Sequence, residues 1–454
     1  MAVDMVIKNG TVVVPNSTLR AHVIIDEGKV KEVTPFDDLP EARETIDASG
    51  LHVLPGLIDP HVHFRVPGME YKEDFTSGSQ SAVAGGITTI IDMPNVTPMT
   101  KDVEGFNAKM DCAVGKSHCD FAVYAVIVAD SKQHIPALAD AGVIGYKIFM
   151  GSTVGGIEAP SDGEMLDAWN IMRETGLRCG IHAEDNSILF YLTDKLKAEG
   201  RMDPLAHLEA RPSIAEAEAI SRAIMFAEHC GSKLMVYHMA AKEGVYLIRA
   251  AKERGVDVMG ETGPHYLLCN AQDMITKGLG SMLKMNPPVR ESDHGVVLWE
   301  GLRDGTIDVI GTDHSPHTAE EKMFDDRFSD IWSAIPGWPG VETNVPLMLN
   351  AVNEGQLSLN LYVERQSEGP ARAWNMWPRK GNLNVGADGD VTIVDMNKEV
   401  TLDQGKLHSK HKISPYHGWK VKGMPVYTII RGTVVAKDGE VIGDPIGELQ
   451  RPIV

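Results

Sequence analysis

The sequence predicts a parallel α/β domain closed into a (β/α)8 barrel, with a small β domain assembled from the two chain ends. Three observations carry this. Short apolar, β-like runs alternate with amphipathic helical stretches from about residue 53 to about residue 378. Several of those runs end in a residue able to bind a metal. Outside that region, both ends of the chain show hairpin-like alternation.

At the N-terminal end, Asp4–Val14 alternates apolar and polar residues around the Asn9-Gly10 turn, and Val23–Val30 repeats the pattern. Near the other end, Asp390–Asp395 and Thr428–Val435 are also strand-like. Residues 1–52 plus 379–454 are therefore expected to form the small β domain, and 53–378 the barrel. The barrel opens with Leu54-Pro-Gly-Leu-Ile-Asp-Pro60, a buried parallel strand by its composition, followed by His61-Val62-His63. Residues i and i+2 of a strand share a face, so both imidazoles converge at the C-terminal end, where barrel enzymes keep their chemistry. Four later β-like segments each add one polar residue: Val143–Met150 carries Lys147, Arg178–Ala183 carries His182, Lys233–Met239 carries His238, and Thr306–His314 carries Asp313. Between them lie helices such as Ser213–Glu228, with apolar residues at helical spacing.

Taken singly, His182 or His238 reads as a hydrogen-bonded core histidine. Lys147 reads as a lysine reaching solvent by its tip, and Asp313 as a helix cap. Together, those readings require several buried polar residues, each with its own partner. One metal centre satisfies them all, and imidazole and carboxylate are natural ligands for zinc.

The segments Pro55–Gly68, Asp92-Met-Pro-Asn95 and Thr312-Asp-His-Ser-Pro-His317 resemble the cyclic amidohydrolases of the amidohydrolase superfamily, a group containing dihydroorotases, hydantoinases, dihydropyrimidinases and allantoinases. The resemblance runs essentially the full length. It implies a TIM barrel with a small β-sandwich and two zinc ions per chain. His61, His63 and Asp313 would bind one ion, His182 and His238 the other, and Lys147 would bridge both as a carboxylated lysine. An ammonium beside two dications is repelled and has no lone pair to donate, whereas a carbamate formed with carbon dioxide is an anionic two-oxygen bridge. The implied reaction is hydrolytic opening of a cyclic amide by a metal-activated water, with Asp313 as general base and then acid.

Arg65, Asn95 and His317 match the groups with which dihydroorotases hold the substrate carboxylate, and Asn286 and Gly337-Trp-Pro-Gly340 resemble that family's substrate loops. Arg65 shares the face of His63 if strand geometry persists, and its guanidinium suits a carboxylate. Dihydroorotase, which interconverts L-dihydroorotate and N-carbamoyl-L-aspartate, is therefore the leading expectation. Glu261-Thr-Gly-Pro-His-Tyr266, the Met323–Trp332 insertion and, less discriminatingly, His411–Tyr416 resemble allantoinases and hydantoinases instead, which makes opening of a five-membered cyclic ureide the alternative. A dihydropyrimidinase is disfavoured, because Ser152 stands where that family places a tyrosine five residues after its bridging lysine. With every ligand position filled, a catalytically inactive assembly scaffold is least favoured.

Composition fits a soluble enzyme and excludes several alternatives, and the resemblance implies a small-molecule cyclic amide as the partner. The 454 residues suffice for a large core. A formal charge of −20 argues against nucleic acid as a general partner. The N-terminus lacks a signal-like segment, and no run is long enough to span a membrane. Five scattered cysteines, Cys112, Cys119, Cys179, Cys230 and Cys269, suggest neither a disulfide framework nor a zinc ribbon, so a cytoplasmic location is expected. The family resemblance implies a homodimer or homotetramer. Gly151–Pro160 is expected to be an active-site loop.

Overall fold

A computed structural model describes residues 2–453. The first strands, β1 (Val3–Val14), β2 (Ser17–Asp26), β3 (Lys29–Thr34), β4 (Ala42–Asp47) and β5 (His52–Pro55), lie in one mixed sheet. The chain then enters the barrel with β6 (Leu57–Val62), β7 (Ile87–Asp92), β8 (Asp120–Val126), β9 (Gly145–Phe149), β10 (Cys179–His182), β11 (Leu234–Val236), β12 (Val258–Thr262) and β13 (Val309–Ile310). It returns to the first sheet with β14 (Val391–Thr401), β15 (Lys420–Ile430), β16 (Thr433–Lys437) and β17 (Glu440–Val441).

The eight barrel strands pair in parallel in chain order. The ring closes where His314, just after β13, bridges Val62 and its carbonyl accepts the His63 N–H at 2.8 Å. Side chains alternate along each strand as the pleat requires. On β10, Cys179 and Ile181 join the core shared with the helices, while Gly180 and His182 face the barrel axis. Tyr237, Trp374 and Tyr124 plug the axis; Tyr237 stacks on Trp374 with ring centroids 5.9 Å apart. Gly180 is required there, because a Cβ would fall 1.9 Å from the Tyr237 ring. The plug forms the floor on which the polar strand ends stand.

The end domain is a single nine-stranded mixed sheet in which β5 pairs with β1 on one side and β14 on the other. Residue 53, taken above as the start of the barrel, falls inside β5, and the first barrel strand begins at Leu57. Met5, Ile7, Val12, Val23, Ile25, Val53, Val391, Ile393 and Ile429 form this domain's own core. Asp120, at the start of β8, is joined to it by Lys380 and Arg431, with Lys380 also bound to Asp388 and Asp390. After β17 the chain runs beneath the barrel, where Phe121 and Leu449 form a parallel bridge. Among the described residues, no helix is long and apolar enough to cross a membrane.

Candidate metal centre and active site

At the C-terminal ends of the barrel strands, the six expected ligands come together. His61 and His63 both direct Nε2 at Asp313 Oδ1, at 3.3 and 3.0 Å. His182 Nδ1 and His238 Nε2 face each other at 3.0 Å. Lys147 is fully buried, its Nζ 3.9 Å from the Tyr237 ring centroid and without a hydrogen-bond partner. His238 and Asp313 adopt left-handed backbone, with φ of 37° and 48°, and Arg65 does so as well at 65°. Non-glycine residues in that region carry strain and cluster at functional sites. The turn after β11 brings His238 inward directly beside Tyr237.

Sequence reasoning did not assign the groups that orient the imidazoles, naming Asn95 only as a substrate contact and Glu261 only within a motif. His61 Nδ1 is 2.7 Å from Glu261 Oε1, His63 Nδ1 is 2.8 Å from Asn95 Oδ1, and His182 Nε2 is 2.9 Å from Glu184 Oε2. A metal-ligating histidine typically donates its second ring N–H to such a partner, which fixes the tautomer and ring orientation. The available signal was an acidic residue inside an apolar strand (Glu261) and one two residues beyond a ligand (Glu184).

Burial dominates the electrostatics. Desolvation holds His61, His63 and His238 well below the usual imidazole range and lowers His182 too, so their lone pairs are free. Desolvation also lowers Lys147 to about 7 and pushes Glu261 well above the carboxylate range. Asp59, beneath the site, is raised to about 7 by burial, although it accepts from the Thr312 hydroxyl and N–H. Divalent cations placed among these groups would draw Glu261 back to its anion. The donor set fits them: two imidazoles and a carboxylate converge on one point, two imidazole nitrogens converge on another, and a buried amine lacks any other partner.

The strand ends line a small cavity of about 30 Å³, which Arg65, Asn95, Thr153, Val154, Met285, Asn286, Ser315 and Pro336 also line. Arg65 is buried and donates from Nη2 to Ser315 Oγ at 2.6 Å, with His317 Nε2 3.0 Å away. Burial lowers its guanidinium to about 10. Asn95 uses Oδ1 on His63 and Nδ2 on the Val154 carbonyl. Asn286 Oδ1 is buried and unpartnered. His317 is fully buried behind Arg65, its Nδ1 facing Lys72 and Glu321, and it does not line the cavity. Gly337 passes so close to Ser315 that a Cβ would meet its Cβ at 2.7 Å, which seats the Gly337–Gly340 turn against the residue holding Arg65.

The profile described as the Amidohydrolase family matches residues 52–435. An L-hydantoinase from Paenarthrobacter aurescens is 38% identical over 444 residues, covering 97% of this chain and 96% of its own. An allantoinase from Rubrobacter xylanophilus is 37% identical over 454 residues, covering 99% and 98%. A dihydroorotase from a Geobacter species is 36% identical over 438 residues, covering 96% and 100%. The solved structure of an L-hydantoinase (dihydropyrimidinase) from Arthrobacter aurescens superposes with a TM-score of 0.95 at 37% identity, covering 98% of this chain and 99% of that one.

Proposed function

The chain belongs to the amidohydrolase family, as a cyclic amidohydrolase of the hydantoinase, allantoinase and dihydroorotase kind, and from that premise we propose that it opens a five-membered cyclic ureide. The observation that carries this choice is where Asn95 and His317 sit. Of the three groups expected to hold a dihydroorotate carboxylate, Asn95 is committed to His63 and Val154, and His317 stands behind Arg65. Arg65 alone still offers its guanidinium to the cavity. The whole-chain likeness to a hydantoinase and an allantoinase supports the same reading.

We assign one zinc ion to His61, His63 and Asp313, a second to His182 and His238, and a carbamate bridge to Lys147. Bound there, these groups would supply an anionic bridge, a water that ionises near neutral pH, and Lewis acidity toward the ring carbonyl. The protein's own residues do the rest. Asp313 lines the cavity, and its Oδ2 has no protein partner among the described residues. It takes the proton of the attacking water and returns it to the ring nitrogen as the C–N bond breaks. Asn286 Oδ1 accepts a ring N–H, and Arg65 donates to a ring oxygen. Glu261, Asn95 and Glu184 hold the imidazoles in place.

The test is kcat/KM of the zinc- and bicarbonate-treated enzyme on hydantoin, allantoin and L-dihydroorotate side by side. A five-membered ring should be preferred by tenfold or more. Dihydroorotase is the second reading, favoured by a buried Arg65 that lacks a carboxylate partner among the described residues. Preference for dihydroorotate, lost selectively in Arg65→Met, would establish it.

A further inference from the structure

The roof of the cavity and the two halves of the metal centre are fastened by the same side chains. Arg211, the residue that ends helix Pro204–Ala210, forks between two partners. Its Nη1 pairs with Glu184, the carboxylate that orients His182, and its Nη2 donates to the Ser152 carbonyl at 2.7 Å. Ser152 begins the stretch whose Thr153 and Val154 line the cavity. Gly151 lies directly on Glu184, since a Cβ there would be 2.7 Å from the Glu184 Cβ. Asn95 does the corresponding work at the other end, touching His63 with Oδ1 and the Val154 carbonyl with Nδ2. The 151–154 segment therefore spans the two histidine sets.

Arg211 is itself anchored. Its carbonyl accepts from Arg290 Nη1 at 2.9 Å. Arg290 pairs with buried Glu216 at 2.7 Å, and Glu216 accepts the Ala240 and Ala241 N–H groups just beyond His238. One chain of charge-assisted hydrogen bonds thus runs from the turn after β11, through Arg211, to His182 and the cavity roof. A bidentate guanidinium can hold two acceptors at a fixed separation, which an ammonium cannot.

We propose that Arg211 is a positioning residue that makes the roof segment 151–154 and the orientation of His182 a single mechanical unit, so that loosening one loosens the other. The proposal rests on the metal-centre reading above. The test uses the full-length, metal-loaded enzyme and its Arg211→Gln variant. Three quantities are read: metal retained during dialysis against a chelator, amide hydrogen exchange of residues 150–156, and KM separately from kcat. The expected result is loss of one metal equivalent at least tenfold faster, faster exchange confined to the roof segment, and a raised KM. Glu184→Ala, which removes the acceptor joining Arg211 to His182, should likewise hasten metal loss and roof exchange together. If Arg211→Gln does not fold, Arg211→Lys serves, keeping the charge and losing the fork. Unchanged metal retention alongside a loosened roof, or the reverse, overturns the coupling. A wild-type enzyme that takes up no metal would overturn the metal-centre reading instead, so the two failures are distinguishable.

Discussion

Lys147 and Lys380 are buried at opposite ends of the same barrel, and their surroundings are opposite. Lys380, beneath the strands, is held by Asp120, by Asp388 at 2.8 Å and by Asp390 at 2.6 Å, and these carboxylates raise it above its ordinary value despite burial. Lys147, above the aromatic plug, has no hydrogen-bond partner, and burial lowers it to about 7. Asp120, Asp388 and Asp390 approach one another closely enough to suggest a metal site, as do His61, His63 and Asp313. The lower set already contains its cation. The upper set has an amine that rests on the Tyr237 ring and has no hydrogen-bond partner. Burial of an ionisable group says little about function until its partners are counted, and the unpartnered one marks the chemistry.

The largest effect that sharpens this contrast is on activity. Lys147→Met should reduce turnover of any cyclic ureide to assay background and leave the melting temperature unchanged or raised, since no ion pair is lost. Retained turnover would remove Lys147 from the reaction. Lys380→Met should do the reverse. Three carboxylates left without their ammonium should cost about 3–5 kcal/mol of stability, measurable by urea unfolding, with kcat/KM of the folded fraction intact. A stable, inactive variant would contradict the division of labour. Next comes Glu261→Gln, which keeps the contact with His61 but removes the charge. Metal affinity measured by chelator competition should weaken by roughly 10–100-fold, the usual range for such partners.

The last effect, spread over the widest range of conditions, is a pH slope in the metal- and bicarbonate-free protein. Lys147 titrates at about 7 when folded against 10.5 ordinarily. Between those values the unfolded chain binds one more proton. Stability should therefore rise with pH across that window, by at most about 1.4 kcal/mol per unit, and this contribution should be gone below it. Lys147→Met should flatten the slope; a slope that persists belongs to another group.

Much of this was legible in the sequence, where local periodicity governs. His61, Lys147 and His182 stand on strands, His63 and His238 stand one or two residues beyond one, and Asp313 follows β13, so composition and spacing located them. Arg65 was assigned to the face of His63 on the premise that the strand continued. The strand ends at Val62, and Arg65 lines the cavity through left-handed backbone, so the premise of a continuing strand does not hold there. His317 was expected in the cavity and stands behind Arg65, because spacing after a strand cannot say which way a loop turns. Residue 53 was placed in the barrel because Val53 and Leu54 are as apolar as the barrel strand that follows. The pairing of β5 with β1 and with β14, more than 330 residues later, assigns it elsewhere. The roles of Glu261, Glu184 and Arg211 went unread because they exist only across strands. The proposed preference for a five-membered ring rests on contacts of the same kind, since it depends on which donors are already committed to neighbours.

That pairing has a consequence for biogenesis. As the chain leaves the ribosome, the row Met5, Ile7, Val12, Val23, Ile25 and Val53 emerges first, yet its partners Val391, Ile393 and Ile429 are made last. At ordinary elongation rates the gap is on the order of tens of seconds. Throughout that interval β5 is an unprotected sheet edge on a chain whose barrel is still being synthesised, which is a template for association between nascent copies. Aggregation in overexpression should therefore depend on translation speed and temperature more than on the stability of the finished enzyme.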